Sequence, residues 1–191
     1  MIKNLLIILL IAFVPLTGYS QSGSLSKKEQ RNLLKEEKKR LAAEKAAIEF
    51  NLSSQLIETG KFVLETDMVT DRRGFTRSAD PIINFILVDS LYGMIQLGSR
   101  TGEGLNGVGG ITIEGEIVNY TVEKNEKKNF LTVEYEIKTM VSGYYRIKVY
   151  THGGMRAEAR FSGSMSMGQM RYSGRLVSLE QSRVYKGTSY Y

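Results

Sequence analysis

A β-hairpin is encoded most clearly by residues 111–139, which read ITIEGEIVNYTVEKNEKKNFLTVEYEIKT. Apolar and polar residues alternate on both sides of a polar segment at 124–129. Such alternation places every second side chain on the same face of a strand, and a polar tip between two such runs is typical of an antiparallel hairpin. In the second run the shared apolar face consists of Leu131, Val133, Tyr135 and Ile137.

The same alternation continues in both directions from this hairpin. Upstream it covers residues 61–67, 83–89 and 94–97, and downstream it covers 145–150, 156–162 and 169–179, with a glycine turn at 152–154. No helical pattern separates these segments, which argues against a parallel βαβ fold. We therefore predict an α+β fold in which residues 61–191 form an antiparallel meander of about seven or eight strands, curled into a partial barrel or half-sandwich.

A charged helical segment is predicted for residues 21–60, ahead of the strands, with the helix itself at residues 27–59. Ser26 and Glu29 have the spacing of a capping box, and neither Gly nor Pro follows before Gly60. Widely spaced apolar residues draw one stripe along this helix, and we expect the stripe to pack on the sheet; a coiled-coil partner is the alternative. The stripe consists of Leu34, Leu41, Ile48, Leu52 and Leu56.

Residues 1–20 have the features of a cleaved signal peptide. Lys3 precedes an apolar run at 5–16, and Gly18-Tyr19-Ser20 offers small residues where signal peptidase cleaves. The apolar run is shorter than the roughly 20 residues of a membrane-spanning helix, so no stable membrane insertion is expected after cleavage. No Cys is present to carry a lipid anchor. The sequence thus predicts a periplasmic or secreted protein.

Composition excludes several classes of site. The chain has no Cys and a single His, which removes disulfides, thiol nucleophiles and most zinc or histidine chemistry. The 26 Lys and Arg residues outnumber the 20 Asp and Glu residues, and residues 146–191 carry eight basic and two acidic side chains. This basic third suits anionic lipid or polysaccharide, but solvent-facing strand charges are the favoured interpretation. An export signal argues against nucleic acid as a partner.

Two further patterns suggest binding chemistry and have simpler explanations. Residues 102–110 contain the G-x-G-x-x-G string of dinucleotide sites, but a strand follows it where that motif needs a helix. We interpret the segment as an inter-strand loop with the potential to cover a cavity. A group of soft ligands suits Cu(I), although methionine is also a common core filler. The group consists of His152, Met155, Met165, Met167 and Met170.

Carboxylates and tyrosines supply the remaining candidates. Paired strand carboxylates can perform general acid and base catalysis, yet cross-strand charge pairs are the more common use of such residues. The carboxylates to examine first are Glu114, Glu116, Glu134 and Glu136. Tyrosine rings suit a carbohydrate or peptide groove, and ordinary strand packing is the alternative. The rings in question are Tyr144, Tyr145, Tyr150 and Tyr172.

The chain also resembles a known family. The matching features are Asn84-Phe85, Gly109-Gly110, Ile113-Glu114-Gly115 and Arg171-Tyr172-Ser173-Gly174, together with the Lys/Glu-rich helix after a signal peptide. They resemble the exported proteins of Bacteroidota catalogued as domain of unknown function 4251. The resemblance implies export and one domain after the helix, and it implies no catalytic or ligand residues.

The sequence assigns no catalytic, cofactor-binding or metal residue. It favours a non-catalytic binding or structural module of the bacterial periplasm, whose partner is an envelope component or a small ligand. A carrier that holds an apolar ligand in a partial barrel is the first alternative. A hydrolase built on strand carboxylates is the second.

Overall fold

The computed structural model describes residues 26–99, 104–163 and 169–188. Within these residues the chain forms one α-helix, nine β-strands and a 3-10 turn at Glu126–Lys128. The helix is α1 (Lys27–Glu58). The strands are β1 (Lys61–Thr70), β2 (Thr76–Ser78), β3 (Phe85–Asp89), β4 (Tyr92–Leu97), β5 (Ile111–Asn125), β6 (Phe130–Lys138), β7 (Tyr144–His152), β8 (Arg156–Gly163) and β9 (Met170–Val177). The predicted signal peptide lies outside the described residues.

The strands form an antiparallel meander that closes into a barrel. From β3 to β9 each strand pairs with the next, and β1 pairs with both β3 and β9. The meander is therefore confirmed, whereas the predicted partial barrel or half-sandwich is wrong: eight strands close, and β2 pairs with the far end of β1. A register shift between Thr66 and Met68 marks a β-bulge in β1, and the pairing with β9 continues beyond it to Thr70.

The barrel interior is a packed core. Phe62 and Leu64 of β1 point inward while Val63 points outward, and the other strands alternate in the same way. The fully buried side chains include Tyr135, Tyr172, Phe62, Leu64, Ile86, Ile95, Ile113, Leu131, Ile137 and Ile147. As in other small barrels, these side chains fill the interior.

Residues 26–38 contain the predicted capping box. The backbone N–H of Ser26 donates to Glu29 Oε2 at 2.9 Å, and the backbone N–H of Glu29 donates to Ser26 Oγ at 3.3 Å. The bond from the Ser26 backbone lowers the pKa of Glu29 because it favours the ionised carboxylate, and the Ser26 side chain acts in the same direction. The helix therefore begins where the sequence predicts.

From residue 39 onward, α1 packs on the barrel through a face that differs from the predicted stripe. Phe50 and Ile57 join the core, and the hydroxyl of Tyr120 donates to the carbonyl of Ile57. Ile48 and Leu52 are exposed at 55% and 48%, so the stripe prediction is wrong there. At about 100° per residue, Ile48 lies roughly opposite Phe50 and Ile57 on the helix. From Leu41 onward, only Leu56 of the predicted stripe packs against the core.

Residues 178–188 form a strap over the outer side of the barrel. Leu179 and Val184 cover an outward apolar cluster of Val63, Phe85, Leu87 and Met94. The strap is fixed by the side chain of Gln96, whose Nε2 donates to the carbonyl of Tyr185 at 2.8 Å and whose Oε1 accepts from the N–H of Gly187 at 2.7 Å. This face of the barrel is thus covered by the chain itself.

Candidate functional site: the mouth pocket

The barrel has two distinct ends. Ile57 of α1 packs at one end; at the other end, which we call the mouth, β1 and β4 finish and β5 and β9 begin. A cavity of about 680 Å³ lies at this mouth, and we call it the mouth pocket. Its apolar lining consists of Val69, Phe75, Ala79, Pro81, Ile83, Leu97 and Met170. Its polar side chains are Asp71, Arg77, Ser78, Asp80, Asn84 and Ser99, with Gly98 and Gly109 completing the wall.

The mouth pocket exists because β3 is shorter than its neighbours. β3 begins at Phe85, which pairs with Glu65 of β1 and Gln96 of β4. β1 continues to Thr70 with β2 as its partner, and β4 continues past Gln96. The non-strand segment 79–84 therefore replaces β3 at the mouth, and it lines the cavity.

Asn84 fastens this segment to the barrel. Its Nδ2 donates to the carbonyl of Asp80 at 3.0 Å, and its Oδ1 accepts from the N–H of Gly98 at 3.0 Å. Asp80 Oδ1 accepts from the N–H of Ile82 at 3.1 Å and closes the local turn. Asn84 is only 2% exposed, so its amide is a structural link across the pocket wall.

The glycine loop after β4 forms another part of the wall. Its organising residue is Asn106, whose Oδ1 accepts from the N–H groups of Val108 and Gly110 and whose Nδ2 donates to the carbonyl of Leu97. Gly109 has a φ of +78°, and a Cβ there would lie 2.5 Å from the Ser99 carbonyl oxygen. A strand follows the loop, as predicted, and Gly109 lines the mouth pocket.

The lining defines what the mouth pocket can hold. Cavities of roughly 300–1,000 Å³ accept drug-sized ligands, and a mainly apolar wall favours ligands with apolar bodies. Arg77 has no ion pair within the described residues, so its guanidinium is free to meet a polar group at the rim.

The candidate carboxylates take part in contacts across the outer face of the barrel. Glu136 accepts from Arg146 at 2.8 Å and from Asn119 at 3.1 Å, and these bonds lower the pKa of Glu136. Glu134 lies 3.2 Å from the ammonium of Lys148 and raises the pKa of that group. These are cross-strand partners in the β6–β7 ladder.

The other two candidate carboxylates lie on β5. Glu114 accepts a hydrogen bond from the hydroxyl of Tyr92, whose pKa is raised by burial and by this carboxylate. Glu116 is directly opposite Lys138. None of the four suspected carboxylates lines the mouth pocket.

The four candidate tyrosines do not form one groove. Tyr145 and Tyr172 belong to the barrel core, whereas Tyr144 is exposed. Tyr150 lies on the outer face, where the charged groups of Lys148 and Arg160 approach its ring centroid at 5.8 and 5.4 Å. The tyrosines therefore serve mainly packing and cation–π contacts.

The methionine group is also dispersed. The carbonyl of Met155 accepts from the N–H of Leu176, whereas Met170 pairs with Phe161, about 20 Å away along β9. Met165 and Met167 lie outside the described residues. Within the described residues, no three His, Asp or Glu side chains come together as a metal site. The described helix also lacks an apolar stretch long enough to cross a membrane.

Comparison with known proteins identifies the family. The model of the "Domain of unknown function (DUF4251)" matches residues 44–176. The chain belongs to the DUF4251 family. A crystal structure of a DUF4251 family protein from Bacteroides eggerthii is similar, with a TM-score of 0.60 and 25% sequence identity over 71% of this chain and 91% of that chain. The comparison with curated proteins found no match.

Sequence reasoning missed most residues of the mouth pocket in this DUF4251 protein. Leu97 reads as an ordinary strand residue, Val69 lies just beyond the predicted segment 61–67, and residues 79–82 carry no periodic pattern. The available signal was the pair Asp80-Pro81 just before an apolar run, which indicates a turn that delays the start of a strand.

Proposed function

We propose that this DUF4251 protein is an exported binding module whose mouth pocket takes a mainly apolar ligand. The observation that supports this proposal is the contrast between the filled interior of the barrel and the cavity of about 680 Å³ at its mouth. A ligand bound there would lie against Phe75, Leu97 and Met170 instead of inside the barrel.

The proposal modifies the carrier alternative suggested by the sequence. A carrier of the enclosed type needs unfilled volume between the strands, and here large side chains such as Tyr135 and Tyr172 occupy that volume. The mouth pocket offers apolar contact without such a cavity. Binding without catalysis is favoured because the suspected carboxylates face cross-strand partners away from the pocket.

Export to the periplasm or beyond is part of the proposal. It is supported by the charged start, the short apolar run and the small residues at 18–20. N-terminal sequencing of the protein from a soluble envelope fraction should begin near Gln21. Intact Met1 on protein from washed membranes would contradict this part of the proposal.

The binding proposal is tested with N-phenyl-1-naphthylamine, a neutral dye that fluoresces in apolar sites. Phe75→Ser and Met170→Gln remove apolar lining, while Met140→Ser changes a fully exposed residue that lies outside the pocket. We expect dye binding by the native protein, weakened about tenfold or more in the lining variants, since covering a Phe or Met side chain is worth about 1.5–3 kcal/mol and each step of about 1.4 kcal/mol is tenfold.

The control variant, Met140→Ser, should bind like the native protein. Thermal unfolding followed by circular dichroism verifies that all variants are folded. Absence of dye binding by the native protein, or equal affinity in all variants, would contradict a ligand site at the mouth.

A further inference from the structure

Three basic side chains lie directly opposite one another on the outer face of β7, β8 and β9. Lys148 pairs in register with Arg160, and Arg160 pairs with Arg171. All three residues occupy outward positions of their strands. Like charges directly opposite in a sheet are destabilising, so this row works against the stability of the barrel.

The carboxylates nearby neutralise the row only in part. Lys148 has Glu134 as its partner at 3.2 Å. Arg160 and Arg171 share one oxygen of Glu158, at 3.0 and 3.3 Å from their Nε atoms. Each guanidinium has five N–H donors, so both arginines keep donors for another acceptor. Their side chains are 43% and 46% exposed, and a ligand can reach them.

A small cavity lies where these arginines meet the β1–β2 turn. Its volume is about 180 Å³, and Arg72 of the turn lines it together with Arg160 and Arg171. Arg72 has no ion pair within the described residues. We call this cavity the arginine pocket.

The carboxylate that lines the arginine pocket, Asp71, already accepts hydrogen bonds from the β1–β2 turn. Asp71 Oδ1 accepts from the N–H groups of Arg73 and Phe75 at 2.8 and 3.0 Å. Thr70 and Gln169 complete the polar part of the wall. Three guanidiniums against Asp71 and the shared Glu158 leave the site with an excess of positive charge.

The arginine pocket adjoins the mouth pocket. Asp71 and Met170 line both cavities, which places an apolar cavity beside a cationic one. A ligand with an apolar chain and an anionic head would satisfy both, because the chain covers Met170 and Phe75 while the head meets the arginines.

We infer that the ligand of this protein is an anionic amphiphile whose phosphate-like or carboxylate head binds Arg72, Arg160 and Arg171. This inference rests on the proposed function for the apolar chain. The head site adds a specificity that the mouth pocket alone does not have, because planar guanidiniums bind the oxygens of such heads in pairs.

The test compares dodecyl phosphate with dodecanol, which has the same chain and no charge. Each compound displaces N-phenyl-1-naphthylamine from the native protein and from the variants Arg72→Gln and Arg171→Gln. The matched control is Arg146→Gln, because Arg146 is also an outward arginine of this sheet but lines neither cavity. Inorganic phosphate alone serves as a probe for the head site without a chain.

We expect the native protein to bind dodecyl phosphate at least tenfold more tightly than dodecanol at low salt. Arg72→Gln and Arg171→Gln should each reduce that preference about tenfold and leave dodecanol binding unchanged. Arg146→Gln should retain the preference of the native protein. The preference should shrink as salt screens the charges. Weak binding of inorganic phosphate that these two substitutions abolish would support the same head site.

Two failures are distinguishable. Equal affinity of the native protein for the two compounds, or a preference that survives both arginine substitutions, would overturn the anionic head and leave the mouth pocket standing. Failure of both compounds and of the dye to bind would overturn the proposed function. Phosphate binding that persists in the arginine variants would likewise overturn the head site.

Discussion

Two stacked tyrosines in the barrel offer a direct measure of how completely its interior is filled. The rings of Tyr120 and Tyr135 lie 5.7 Å apart, and both hydroxyls belong to the core region. The hydroxyl of Tyr120 donates to the carbonyl of Ile57 at the end of α1. The hydroxyl of Tyr135 is fully buried and has no partner within the described residues. Replacing each tyrosine with Phe removes only the hydroxyl.

The two substitutions should have different effects on the free energy of unfolding. Tyr120→Phe should lower it by about 1 kcal/mol, because one hydrogen bond is lost and the Ile57 carbonyl loses its donor. Tyr135→Phe should leave it unchanged or raise it by about 1 kcal/mol, because an unpaired buried hydroxyl costs roughly 1–3 kcal/mol. Ring stacking is retained in both variants.

Urea unfolding monitored by circular dichroism gives both free energies on the same scale. The double variant tests additivity, since the two stacked rings are neighbours in the barrel. A loss of 1 kcal/mol or more in Tyr135→Phe would contradict an unpaired hydroxyl at Tyr135. It would mean that the Tyr135 hydroxyl has a partner inside the barrel, and the interior would then compete with the mouth as a place for a ligand.

Three other perturbations follow from the same structure. Ile57 is 0% exposed and Ile48 is 55% exposed, so Ile57→Ala should lower the free energy of unfolding by about 2–4 kcal/mol and Ile48→Ala by under 0.5 kcal/mol. Equal losses of the two variants in urea unfolding would mean that a different face of α1 is packed. Gly109→Ala should lower the thermal midpoint more than Gly107→Ala. Both glycines have positive φ, but only at Gly109 would a Cβ clash with a backbone atom. Similar midpoints of the two variants would contradict this loop geometry. Burial raises the pKa of Tyr172. The contribution of its protonated form to stability should therefore be complete below the unfolded pKa of about 10 and should fall as pH rises above it. A free energy of unfolding that stays constant from pH 9 to 11.5 would contradict this prediction.

The sequence predicts the parts of this fold that depend on local pattern. The 111–139 hairpin, the helix start at Ser26 and the glycine turn after β7 all follow from alternation, capping and turn chemistry. Closure of the barrel is not local: it depends on pairing between β1 and β9, which are separated by most of the chain, so no short segment indicates it. The stripe prediction is wrong at Ile48 because its heptad spacing from Leu34 and Leu41 favours that side of α1, whereas Phe50 and Ile57 form the buried face.

The candidate site was even less accessible from sequence. Arg72, Arg160 and Arg171 read as separate surface charges, and only the register of the strands brings two of them opposite each other. The mouth pocket depends on the late start of β3 and on the links made by Asn84. These are tertiary features, whereas the overall excess of basic residues at the C-terminal end was visible in the composition.

Methionine methyl groups provide the most direct test of ligand binding at the mouth. Met170 lines the mouth pocket, Met155 lies near the opposite end of the β8–β9 hairpin, and Met140 is fully exposed. With ¹³C-methyl-methionine labelling, NMR resonances are assigned by single Met→Leu substitutions and followed during titration with dodecyl phosphate. The Met170 resonance should shift and saturate while those of Met155 and Met140 stay in place. A saturating shift of Met155 with Met170 unchanged, or no shift of either at ligand concentrations that displace the dye, would contradict ligand binding at the mouth.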